Sequence, residues 1–125
     1  MQMPAILSLA ADAARHAADR QAVTARNIVN ADTPGFRPFD LTPFDPGLDV
    51  DASFAQRRTR PGHLGDGPAR PWREVTQEGP LDPNGNGVDL ETEILRGTDA
   101  QRAHNRAITV YRASMDLLRA SLGRG

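Results

Sequence analysis

The sequence predicts a mainly α protein. Its N- and C-terminal long helices are expected to pack as an antiparallel coiled-coil-like pair, with a Pro/Gly-rich extended segment between them. Three observations carry this reading. An Ala-rich stretch with three- and four-residue spacing occupies residues 5–31. A second stretch with the same spacing occupies residues 89–122. Between them, residues 32–87 hold nine of the ten prolines and eight of the eleven glycines, a density that defeats long regular elements. The chain thus divides into an N-terminal helix with its turn (1–36), an extended or poorly ordered middle (37–87) and a C-terminal helix (88–125).

In the first helix, ten of 27 residues are Ala, the best helix former. A stripe runs through Leu7, Ala10, Ala14, Ala17, Gln21, Thr24, Ile28 and Ala31. Its small residues allow a second helix to approach closely, while Asp12, Arg15, Asp19, Arg20 and Arg26 form the opposite face. Pro34 then ends the helix, because it lacks an N–H and pushes Thr33 out of the α region. Pro34 and Gly35 fit the central positions of a type II turn, in which Gly35 takes a positive φ.

The middle segment offers two short apolar pieces, Leu48-Asp49-Val50 and Trp72-Arg73-Glu74-Val75, as brief strands. A structureless loop of 56 residues does not belong in a compact domain, so this segment is expected to be disordered alone or ordered by partners.

The second helix carries Leu90, Ile94, Gly97, Gln101, His104, Ile108, Tyr111, Met115, Leu118 and Leu122 at alternating three- and four-residue spacing, the pattern of a coiled-coil seam. Asp89 is its expected N-cap, with Glu91 and Glu93 well placed in the first turn. Arg119 and Arg124 sit near the negative end, and Gly123 is a natural stop. Ile6, Val23, Val29, Leu95, Val110 and Leu117 fall outside the two stripes. A helix pair cannot cover both sets, so the surplus is expected to meet other chains. Ile94, Ile108, Tyr111, Met115, Leu118 and Leu122 form the expected assembly interface.

Composition narrows the function. A chain of 125 residues makes one small domain, and 5% aromatic content with a mean hydropathy of -0.52 gives it a thin core. The net charge of -1 gives no global case for nucleic acid or an anionic membrane. All 15 basic residues are Arg, a bias that fits either base composition or Arg-rich interfaces. The absence of Cys excludes disulfides, thiolate catalysis and Cys-based zinc sites. No apolar run approaches the roughly 20 residues of a membrane span. No basic region precedes the apolar residues of Met1 to Ala14, so no cleaved signal peptide is expected.

Asn27-Ile28-Val29-Asn30-Ala31-Asp32-Thr33-Pro34-Gly35-Phe36 resembles the Asn-Ile-Ala-Asn-x-x-Thr-Pro-Gly-Tyr signature of flagellar rod and hook proteins. Two further blocks resemble the short proximal-rod subunits, the FlgB-type basal-body rod proteins. Thr59, His63 and Leu64 resemble a Thr-x-x-x-His-Leu element. Asn84 to Glu93, with Asn86, Val88, Asp89, Leu90 and Glu91, resembles the family's block before the C-terminal helix. The short insert between the helices favours the proximal-rod subunits over hook and distal-rod proteins. Arg26 and Val29 depart from the small residues usual there, and Phe36 stands where Tyr is common.

This resemblance implies a non-enzymatic structural subunit without cofactors, assembled through its terminal helices into the hollow, periplasm-spanning rod. The partners it implies are copies of the same chain, other rod subunits, the adaptor joining rod to membrane ring, and the flagellar type III export apparatus. It implies neither a nucleic-acid partner nor membrane insertion, and export by an uncleaved N-terminal signal.

Rival readings rest on smaller features. Residues 82–93 match the EF-hand loop pattern, with Glu93 in the last position. Gly79-Pro80-Leu81 breaks any preceding helix, however, and Pro83 and Asp89 occupy unsuitable positions. His16 with Asp12 or Asp19 has a metal-compatible spacing that is common on any charged helix. His104 reads as a packed or interface residue, and His63 sits in the middle segment. Arg57-Arg58-Thr59-Arg60 lacks the stacking aromatics of a nucleic-acid patch and reads as solvated or facing an acidic neighbour. No nucleophile triad, phosphate loop or catalytic carboxylate pair has a credible context. A helical-hairpin adaptor or chaperone explains the helices but not the motif blocks.

Overall fold

A computed structural model describes residues 3–46 and 71–123. The element order is α1 (Met3–Val29), β1 (Phe39–Leu41), β2 (Glu74–Thr76) and α2 (Leu90–Leu122). Both expected helices are present. Helix α1 ends two residues before the expected 31, and Asn30 and Ala31 leave it in a turn held by their N–H groups on Arg26 O and Ile28 O, both at 3.1 Å.

Asp89 caps α2 as expected. Its backbone is extended, and its carboxylate accepts from Glu91 N at 3.1 Å and Thr92 Oγ1 at 3.0 Å. Such a cap contributes about 1 kcal/mol. At the other end Gly123 donates to Arg119 O at 2.8 Å with φ -73°, so it stops the helix without using left-handed freedom.

The helices pack antiparallel. Asn27, near the end of α1, meets Glu93 at the start of α2, and Ala10 and Ala17 line the same cleft as Ala100 and Ala107 further along. The buried line on α1 contains Ala10, Ala17 and Thr24, three members of the expected stripe. The buried line on α2 is Glu93, Ala100, Ala107 and Ser114. It lies one residue before the expected Ile94, Gln101, Ile108 and Met115. The physical reason is size. Small side chains at seven-residue spacing let the backbones come close, and a Cβ at Gly97 would sit only 3.4 Å from Thr24 Cγ2.

Strands β1 and β2 pair antiparallel, Phe39 with Thr76, Asp40 with Val75 and Leu41 with Glu74. Thr42 N to Arg73 O at 2.9 Å and Gln77 N to Pro38 O at 2.8 Å extend the ladder. β2 overlaps one of the two expected short strands. The other, Leu48-Asp49-Val50, lies outside the described residues, as do Arg57-Arg58-Thr59-Arg60, His63, Leu64 and Arg124.

In the flanks of the middle segment, 37–46 and 71–87, several side chains and carbonyls contact α1. Trp72 is buried and donates through Nε1 to Asp19 Oδ2 at 2.8 Å. The His16 ring meets it edge-on at 5.1 Å, and Phe44 closes the cluster. His16 Nε2 donates to Thr42 O at 2.8 Å. These aromatic and polar contacts tie the ends of the strands to α1. Among the described residues no helix is long and apolar enough to cross a membrane.

Candidate functional site

The first and last motif blocks, separated by 47 residues, form one junction. Phe36 N donates to Thr33 O at 3.2 Å, and Gly35 between them has φ +75°, as the expected type II turn requires. Gly35 N then donates to Asn84 O at 3.0 Å, and Gly87 N to Phe36 O at 2.9 Å. Gly85 has φ +81°, and a Cβ there would stand 3.3 Å from Gly35 Cα. The two turns therefore meet backbone to backbone, so close that a side chain at position 85 would require Gly35 to shift.

Asn86 is the clasp. It is 1% exposed, and its Nδ2 donates to Asn30 O at 2.9 Å and Thr33 O at 2.7 Å. Its Oδ1 accepts from Val88 N at 2.8 Å. One side chain thus satisfies two carbonyls leaving α1 and one amide entering α2. Asn30 is itself held by Nδ2 to Arg26 O at 2.8 Å, and Thr33 Oγ1 donates to Asn30 Oδ1 at 3.1 Å.

Asn27 makes a second clasp. It bonds both backbone groups of Phe39, through Nδ2 to Phe39 O at 2.7 Å and from Phe39 N to Oδ1 at 3.1 Å. Nδ2 also donates to Glu93 Oε2 at 3.0 Å. Glu93 Oε1 takes Arg96 Nη1 at 2.8 Å, and Arg96 reaches Asp40, which Arg20 grips with two bonds of 3.0 and 3.2 Å. This chain of charges joins α1, β1 and α2 in a partly buried site, where full satisfaction offsets desolvation.

The signature residues differ in exposure. Ile28, Asp32, Thr33, Pro34, Asp89, Leu90 and Glu91 are exposed, while Ala31, Phe36 and Val88 are half-buried. On α2, Ile94, Tyr111 and Leu122 are exposed, and Ile108, Met115 and Leu118 are half-buried. Leu95 and Leu117 are as exposed as Ile94, each over 60%. Sequence periodicity missed Glu93, Arg96, Asp40 and Arg20 as a network, since only Glu93 lies in a motif and the network reaches two other elements, β1 through Asp40 and α1 through Arg20.

The EF-hand reading loses its ligands to this junction. Asn86 clasps carbonyls, Asn84 Oδ1 accepts from Asn86 N, and Glu93 faces Asn27 and Arg96. His16 and Asp19 are likewise turned to Thr42 and Trp72.

A family model described as "Flagella basal body rod protein" matches residues 7–37, which is α1 and the Thr33–Phe36 turn. The chain is also similar to the flagellar basal body rod protein FlgB of Agrobacterium fabrum. The two are 31% identical over 111 residues, covering 84% of this chain and 83% of that protein. With that coverage of both proteins, the chain belongs to the flagellar basal-body rod protein family.

Proposed function

We propose that this rod protein is a proximal-rod subunit, built into the hollow shaft through the large apolar side chains its own helix pair leaves outside. The observation that carries this is the division of labour on α2. Its internal contact uses Ala100, Ala107 and Ser114, while Ile94, Leu95, Leu117 and Leu122 stay more than half exposed. Burying each against a neighbour contributes about 1.5–3 kcal/mol. Neighbouring copies and other rod subunits supply that cover. The junction between the two motif blocks fixes how the chain leaves α1 and enters α2, so each copy presents its helices at one angle.

The role is structural, without catalysis or cofactor. The adaptor joining rod to membrane ring and the type III export apparatus complete the partner set, the latter reading an uncleaved N-terminal signal. The subunit resides in the periplasm-spanning part of the basal body. Deleting the gene tests this reading. Motility should be lost, purified basal bodies should be arrested at the rod, and the gene supplied in trans should restore both. Complete basal bodies in the deletion strain would overturn it.

A further inference from the structure

The junction contains two consecutive Asn-Gly pairs, Asn84-Gly85 and Asn86-Gly87. Asn-Gly is the dipeptide in which the side-chain amide is most open to attack by the following backbone nitrogen, because glycine offers no side chain to obstruct it. The fold relies on the side chain of Asn86 and leaves little room beside Gly87. Asn86 alone supplies a donor to two carbonyls and an acceptor to Val88 N, and a Cβ at position 87 would lie 3.0 Å from Leu81 Cδ2 and 3.2 Å from Pro38 Cδ. The labile dipeptide therefore lies at the centre of the junction's own bonding.

We infer that Asn86 is a latent deamidation site, protected while the junction is closed and exposed when it opens. In the open chain the deprotonated Gly87 nitrogen attacks Asn86 Cγ. A carbon–nitrogen bond forms, the amide nitrogen leaves as ammonia, and a succinimide closes. Water then hydrolyses the ring to aspartate or to isoaspartate. Neither step needs an oxidant or a metal.

The closed junction blocks the attack in two ways. Gly87 N is held on Phe36 O at 2.9 Å, and the Asn86 amide is bonded on both its atoms and 1% exposed. Once formed, the acid does not fit the clasp. Its carboxylate turns an oxygen toward Asn30 O and Thr33 O, where the amide nitrogen stood at 2.9 and 2.7 Å. Two hydrogen bonds become repulsions, and isoaspartate also lengthens the backbone. Conversion is thus one-way, and an aged chain no longer closes its junction.

The test incubates the full-length chain at neutral pH and 37 °C in buffer and in concentrated urea. Peptide mapping by mass spectrometry counts acid and isoaspartate at Asn84 and Asn86 separately. In urea both sites should convert at similar rates. In buffer Asn86 should slow by about tenfold or more, the population ratio of a junction that opens only locally. The variants Asn86→Asp and Asn84→Asp then test the clasp, with Asn84→Asp as the exposed control. Asn86→Asp should lower the melting temperature well beyond Asn84→Asp. Equal Asn86 rates in buffer and urea would overturn the protection, and equal melting temperatures for the two variants would overturn the irreversible opening.

Discussion

Asn27 donates through Nδ2 to Glu93 Oε2 across the helix pair at 3.0 Å, and both side chains are fully buried. The pair sits at one end of a seam otherwise made of Ala, Thr and Ser. A seam repeating every seven residues has little to distinguish one register from a slide of one heptad. A buried polar pair does, because only one register satisfies both groups.

Glu93→Leu should therefore destabilise the fold by about 2–4 kcal/mol, since it removes the carboxylate partner of Arg96 and one acceptor of Asn27. Urea unfolding followed by circular dichroism measures this. Asp12→Ala provides the contrast. Its ion pair with Arg15 is about half exposed on both sides, and its loss should cost roughly 0.5 kcal/mol or less. Equal losses for the two variants would show that the buried pair does not set stability.

The two turn glycines should respond differently to the same change. Gly35→Ala meets no atom within 4 Å but must hold φ +75°, at a cost of about 1–2 kcal/mol. Gly85→Ala carries the same strain at φ +81° and also brings a methyl group 3.3 Å from Gly35 Cα. Gly85→Ala should thus show the lower melting temperature. Gly35→Asn should be milder than Gly35→Val, because Asn tolerates the left-handed region and a β-branched residue resists it. Thermal melts of the four variants check the order.

Both helices, the Asp89 cap and the Pro34-Gly35 turn were legible because each is written in local sequence. The seam on α2 was displaced by one residue because periodicity follows large apolar side chains. Here Ile94, Leu95 and Leu117 point outward and Ala100 and Ala107 point in. The clasps were illegible for a different reason. Asn86 acts on the backbone carbonyls of Asn30 and Thr33, and a carbonyl leaves no mark on sequence. The β1–β2 pairing was equally hidden, since it joins three-residue strands across a long insert.

The seam's dependence on small residues can be tested directly. Ala100 is fully buried between the helices. Ala100→Leu adds volume where the backbones are closest, and it should cost about 1–3 kcal/mol by forcing the helices apart. Leu95→Ala, at a position 65% exposed, should change monomer stability by roughly 0.5 kcal/mol or less. Chemical denaturation of the two variants reads the difference. If Leu95→Ala proves the more damaging, the internal contact lies on the wrong face.

Assembly should show the opposite pattern. Leu117 is 63% exposed, so Leu117→Asp leaves the helix pair with nothing buried or unpaired, and the isolated variant should melt close to the parent. In the rod the same carboxylate would face an apolar neighbour, at a cost of about 2 kcal/mol or more unless it finds a partner. Ile94→Asp should behave alike from the other end of α2. Arg112→Asp, on an already polar exposed position, is the control. Ile108→Asp and Leu118→Asp are less discriminating, because both residues are half-buried and would disturb fold and assembly together. Secretion should survive in all of them, since the proposed export signal is N-terminal. The expected result is a Leu117→Asp subunit that is folded and exported but missing from purified basal bodies, in a cell that does not swim. If that subunit enters basal bodies at parental levels, the exposed apolar face of α2 is not the surface on which the rod is built.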